Sequence, residues 1–307
     1  MSAYVNLTGP MVPTEGVPPV LPPDPTVPRA GWIRRLAMLV LLMSYLLAIL
    51  FRRGPVAGDG PALPDTTGEM LSMLALDLGF FAVLFAIACV LGRPRRTDLY
   101  VNHGPTPARW FFGFLWSLAL RFGLGALLAG VAIVMQLFQK TADPAALEQF
   151  QPKIQNLLRL GALKDPVYLL AVCTVVSFVV AGLREELWRA GMIFALASLL
   201  PAGWSKRSRE VLAVAFAAVI FGLGHLTQGF GGVVLTGVLG LLLGLIMVLR
   251  SSLWEAVIAH GFFDASTFLM LRVILDRSLM EDWLTRAGIP PDAYKPILDE
   301  LAKRLSP

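Results

Sequence analysis

A chain of 307 residues that is 56% hydrophobic, only 15% charged and has a mean hydropathy of +0.68 is too apolar for a soluble domain, which is nearer half apolar and a quarter charged. Its net charge of +5 and pI of about 9.5 do not indicate a nucleic-acid partner. Arg and Lys mostly flank apolar runs, where they act as topogenic charges beside lipid headgroups.

Residues 1–31 hold eight prolines and little apolar periodicity, which predicts a disordered tail. No basic stretch there leads directly into an apolar core, so it does not read as a signal peptide. Seven apolar runs follow, each near the roughly 20 residues that a helical span requires. They are 36–51, 70–92, a run within 110–138 interrupted by Arg121, 166–200, 211–226, 231–249 and 253–275. The expected fold is therefore all-α: a polytopic bundle of about seven spans in a lipid bilayer, an integral membrane protein of a bacterial cytoplasmic membrane. Residues 32–138 supply N-terminal spans and 166–275 the core spans. The polar stretches 139–165 and 276–307 contain amphipathic pieces (Leu147, Phe150, Ile154, Leu157 and Leu158; Ile297, Leu298, Leu301 and Leu305). Such pieces are expected to lie on the bilayer surface or to cap the bundle. The positive-inside rule favours an N-terminus inside, with Arg34/Arg35, Arg93/Arg95/Arg96/Arg109, Lys206/Arg207/Arg209 and Arg250 on the inner side. Gly240 and Gly244, four apart in the sixth run, suggest close helix packing, within the chain or between two copies. Cys89 and Cys173 form neither a metal spacing nor a disulfide framework.

Three of the runs carry ionisable groups that hydrocarbon disfavours by several kcal/mol, which by default marks a functional site. These are Glu185 and Glu186 in Arg184-Glu185-Glu186-Leu187-Trp188-Arg189, His225 four residues after Phe221, and His260 four residues before Asp264. Glu185 and His225 lie equally far from the turn near 201–210, on the order of 22 Å along their helices, so an antiparallel hairpin brings them to one depth. His260 reaches that depth if its helix starts deeper or tilts. His260 and Asp264, and likewise Phe221 and His225, share a helix face at i,i+4. By the same spacing Arg189 is expected to pair with Glu185, while Glu186 points about 100° away. A carboxylate with two imidazoles is a water-activating set, in which Glu acts as general base and the imidazoles bind a metal or stabilise an oxyanion. Gly182, Ala190, Gly191, Gly222, Gly224, Gly261 and Ala265 are expected to leave room for a hydrated cavity.

The ordered set Glu-Glu, Phe-xxx-His and His-xxx-Asp, each on an apolar helix over about 166–272, resembles the CPBP family of intramembrane proteases (CAAX protease and bacteriocin-processing enzymes, also called Abi). The family's Glu-Glu-xxx-Arg pattern would put Arg at position 190, where this chain has Ala190, with Arg189 one place early and Gly191 matching the Gly that often follows. If the Glu pair sets the register, Glu185 is the first and catalytic Glu. If Arg189 sets it, Arg184 takes the first place and Glu185 the second. The resemblance implies hydrolysis of a peptide bond in a peptide or membrane-protein substrate, such as a prenylated CAAX peptide or a leader peptide. Glu185 or Glu186 with His225 would activate water, and His260 with Asp264 would support the transition state. Arg189 and Phe221 would support the site. Asp264 stands where some members have Asn; an ionised Asp accepts only, so its expected role is to orient His260. Zn²⁺ would accept Glu185, His225 and His260 as ligands.

The same cluster could instead serve a transporter or channel as an ion relay, or sit in a non-catalytic scaffold or immunity protein. No internal repeat or broken helix pair favours a transporter. Asp77 and Arg121, in separate spans, are expected to pair across helices. Glu255 is expected to reach the interface from a helix end, and His103 to sit solvated in a polar loop.

Overall fold

The computed structural model describes residues 31–53, 62–102, 104–138 and 152–305, and all its regular structure is helical. The helices are α1 (Trp32–Arg53), α2 (Thr67–Gly92), α3 (Pro107–Phe138), α4 (Pro166–Leu199), α5 (Lys206–Leu223), α6 (Gly229–Arg250), α7 (Leu253–Leu275), α8 (Arg277–Arg286) and α9 (Pro291–Leu305). A helix stands over each of the seven predicted runs. Among the described residues, five are long and apolar enough to cross a bilayer: α2, α3 up to Gly130, α4, α6 with the short turn before it, and α7. Missing from that set are α5, with Lys206, Arg207, Arg209 and Glu210 in its first turns, and α1. The proline-rich tail, His103, Leu147 and Phe150 lie outside the described residues.

The outer helices turn apolar side chains outward: Leu76, Phe80, Val83 and Val90 on α2, and Phe111, Phe122 and Leu127 on α3 are all exposed. In water such a surface would be an aggregation patch. In a bilayer it is the lipid-facing belt, and the backbone polar groups are satisfied within each helix as hydrocarbon demands.

Three packed regions meet in the middle of the bundle. Met38 and Leu42 of α1 pack with Trp188 and Ile193 of α4 and with Ala213 and Val214 of α5. Leu74 of α2, Leu158 and Leu163, Val176 of α4 and Phe268 of α7 form a second region. Leu120 and Leu124 of α3, Leu239 and Leu243 of α6, and Ala259 of α7 form the third. The small residues make these contacts close instead of leaving space. A Cβ on Gly182 would stand 2.9 Å from the Val257 carbonyl, one on Gly222 would stand 2.6 Å from the Val233 carbonyl, and one on Gly261 would stand 2.3 Å from the Phe178 ring. Of the seven small residues expected to open a cavity, Gly224 alone lines one.

α4 has two halves. Asp165 caps it by accepting from the backbone N–H groups of Val167 at 2.7 Å and Tyr168 at 3.2 Å, and Pro166 fits the first turn because its missing N–H has no partner there anyway. From Val172 to Glu185 the backbone follows the wider π-helical pattern, and from Glu186 onward it is α-helical. The change falls between the two glutamates.

The polar connections close the bundle. Residues 152–164 cap it through backbone bonds: the N–H groups of Ala62 and Leu63 donate to Asn156 and Leu157, and that of Lys153 to Gln228. Tyr100, at φ +60°, donates its hydroxyl to Glu210 at 2.9 Å, tying the loop after α2 to α5. Burial, and then the neighbouring Glu210 carboxylate, push the Tyr100 phenol upward. Glu255 is at a helix start, as expected, but is buried: it accepts from Arg250 Nε at 3.0 Å and Trp116 Nε1 at 3.2 Å. α8 and α9 pack on one another through Leu284, Tyr294 and Leu298, with Arg277 donating to Glu281 and Asp299, each at 2.7 Å.

Candidate active site

A cavity of about 470 Å³ opens where the three packed regions meet, and Glu185, His225, His260 and Asp264 all line it. Glu185, His225 and His260 thus face one cavity. The remaining wall is mostly apolar, with Leu63, Leu74, Val176, Val180, Phe268 and Leu271 among its residues. Pro152, Ile154 and Leu157 of the capping segment form another part of it.

The two glutamates occupy different environments. Glu185 faces the cavity, whereas Glu186 is fully buried behind it. Oε1 of Glu186 accepts from His260 Nδ1 at 2.8 Å and pairs with Arg189, which is also fully buried. This corrects the expected Glu185–Arg189 pair. In the α-helical half of α4 that begins at Glu186, i,i+3 neighbours share a face as well as i,i+4 neighbours do. Glu185 stands at the end of the π stretch and takes Arg184 Nη2 at 2.8 Å instead.

Arg189 is seated by residues outside its own helix. Its guanidinium lies 4.4 Å from the centre of the Phe221 ring, in cation–π geometry. A Cβ on Gly240 would come within 2.9 Å of Phe221 and 3.4 Å of Arg189 Nη2, and one on Gly244 within 3.5 Å of Arg189 Cδ. The Gly240/Gly244 pair therefore packs inside the chain, over the arginine. Gly240→Val is expected to destabilise the fold by about 1–3 kcal/mol through overpacking. The shift in the thermal unfolding midpoint in detergent measures this, and an unchanged midpoint would contradict the seating.

The histidines are held in different ways. α5 ends at Leu223, so His225 sits in the turn after the helix and not within a span. Its Nδ1–H donates to the Phe221 carbonyl at 2.9 Å, and its ring lies 4.8 Å from that of Phe221. In the neutral ring this leaves Nε2 as the basic nitrogen. His260 is buried on α7. Its orienting hydrogen bond runs to Glu186, while Nε2 faces Asp264 Oδ2 at 3.7 Å. The role expected of Asp264, fixing the ring, thus falls to Glu186. Asp264 lies at the cavity wall beyond the imidazole.

Sequence reading missed a third group. Arg184 pairs with Asp77 of α2 through Nη1 and with Glu185 through Nη2, and Tyr45 Oη of α1 donates to Asp77 at 3.4 Å. The expected Asp77–Arg121 pair does not form. Arg121 instead donates to the Phe263 carbonyl and to Thr267 Oγ1 at 2.7 Å, and stacks over the Phe263 ring. Asp77 stood out as a lone carboxylate in an apolar run. Nothing in the sequence indicated which helix it faces.

Among the described residues, no three His, Cys, Asp or Glu side chains come together closely enough to hold a metal ion. Glu185, His225 and His260 face one cavity without converging as a ligand set.

The comparisons with curated proteins and with solved structures return no match. Residues 167–266, from the start of α4 into α7, match the family described as Type II CAAX prenyl endopeptidase Rce1-like. The match covers all three motifs, so the segment of this membrane protein that carries Glu185, His225, His260 and Asp264 is similar to the CAAX prenyl endopeptidases of that family.

Proposed function

We propose that this protein hydrolyses a peptide bond of a membrane-associated substrate inside the cavity, with Glu185 as the base that activates water. The observation that carries this reading is the shared cavity. Of the two glutamates, only Glu185 lines it, together with both histidines. His225 Nε2 holds the attacking water beside Glu185 or passes on its proton. His260, fixed by Glu186, donates from Nε2 to the oxyanion as it forms, and Asp264 stabilises the imidazolium state that such donation uses. Asp264 thus supports the transition state through His260. Glu186 and Arg189 do no proton transfer, because neither faces the cavity. Hydrolysis adds one water across the bond: hydroxide goes to the carbonyl carbon, and the proton taken by Glu185 goes to the leaving amine.

The apolar wall gives a prenyl chain or an aliphatic peptide segment a place beside these polar groups, which favours a prenylated CAAX peptide as substrate. The protein, reconstituted in liposomes, is expected to cleave a peptide with a prenylated CAAX terminus and to cleave its unprenylated counterpart at least about 10-fold less efficiently, as the loss of several buried CH₂ groups implies. Mass spectrometry of the products reads this. Equal cleavage of both would remove the prenyl chain from the reading, and cleavage of neither would direct the search to leader peptides. Zn²⁺ on Glu185, His225 and His260 would require these side chains to draw together, and elemental analysis of purified wild type and His225→Ala tests it. The basic clusters favour an N-terminus on the inner side of a bacterial cytoplasmic membrane.

A further inference from the structure

The geometry points to Arg184 as the positioning residue for the Glu185 carboxylate, anchored by Asp77 and Tyr45 on the two N-terminal helices. This rests on the reading of Glu185 as the base. Arg184 holds the two carboxylates with different nitrogens, Asp77 with Nη1 and Glu185 with Nη2. Its side chain is 12% exposed and the two carboxylates are each 18% exposed, so all three are largely withdrawn from solvent. A carboxylate within the apolar α2 is costly in hydrocarbon, and among the described residues its contacts serve only this cluster: Arg184 and the Tyr45 hydroxyl.

Glu185 needs such a tether. It stands where α4 changes from π to α geometry, and Arg189, the cation one turn on, is taken by Glu186. The anchor itself is firm. Trp188 Nε1, one turn beyond Arg184, donates to the Leu42 carbonyl of α1 at 3.0 Å in a buried hydrogen bond, and the Tyr45 ring packs 5.1 Å from that of Phe81 of α2. Tyr45 and Asp77 both lie outside the Rce1-like segment. The N-terminal helices thereby set the aim of a carboxylate that the domain carries.

The alternative is an ion pair that only fastens helices together, and kinetics separate the two. Arg184→Ala, Arg184→Lys, Asp77→Asn and Glu185→Gln would be reconstituted with a cleavable substrate, and kcat, KM and the unfolding midpoint measured for each. A carboxylate displaced by about 1 Å loses on the order of 100-fold in rate. Arg184→Ala is therefore expected to lower kcat on that order with KM little changed. Arg184→Lys should restore much of the loss, and Asp77→Asn should lower kcat by a smaller factor. An unchanged kcat in folded Arg184→Ala overturns the inference. If that variant does not fold, an unchanged kcat in folded Asp77→Asn overturns it. Full turnover by Glu185→Gln would overturn the underlying reading instead, so the two failures are distinguishable.

Discussion

Glu185→Gln is expected to reduce peptide cleavage by about 10²–10⁴-fold, the range spanned by loss of a general base, while leaving the fold intact. The substitution keeps the shape of the side chain and an oxygen that can still accept from Arg184 Nη2. It removes only the capacity to take a proton from water. Because Glu185 faces the cavity and Arg184 keeps its second partner, Asp77, the unfolding midpoint should stay close to wild type. Single-turnover cleavage in proteoliposomes, with unfolding followed on the same preparation, reads both quantities. Turnover within tenfold of wild type would sink the assignment. The same loss with a collapsed midpoint would show that the carboxylate matters to the fold first.

The two motif histidines and the Glu pair were legible because each breaks a pattern. An ionisable group in an apolar run is conspicuous, and its distance from a turn fixes its depth through the constant rise of a helix. That much is enough to place residues at a common site, and Glu185, His225 and His260 do line one cavity. Azimuth is conveyed poorly. Arg189 was expected on Glu185 because only the i,i+4 neighbour was counted, yet Glu186 at i,i+3 shares the face as well and takes the arginine. Asp77 was matched to Arg121 because both are lone charges in spans, yet they face different neighbours, Arg184 and the Phe263 carbonyl. The glycines were misread for a related reason. A missing side chain indicates close approach as readily as open space, and only the partner helix decides which. Gly222 illustrates this: expected to leave room, it meets the Val233 carbonyl of α6.

Arg189→Met is expected to be the most destabilising single change in the site, and its partner change should largely reverse it. Arg189 and Glu186 are both fully buried, and His260 Nδ1 meets the same carboxylate oxygen that faces the arginine. Removing Arg189 leaves a carboxylate in the interior with one imidazole for company. Breaking a buried pair in this way costs about 3–5 kcal/mol, whereas replacing both partners by neutral groups of similar volume is often nearly neutral. The double variant Glu186→Gln/Arg189→Met should therefore regain most of the lost unfolding midpoint. Activity should not follow. The amide that Glu186→Gln introduces offers His260 a neutral acceptor in place of a carboxylate, so an imidazolium at His260 loses the charge that steadies it, and cleavage should remain at least about tenfold below wild type. Recovery of stability without recovery of turnover would show that the pair is retained for the alignment of His260. If the double variant is as unstable as Arg189→Met, the pair is needed for the fold in its own right, and the separation of roles between Glu185 at the cavity and Glu186 behind it loses its main support.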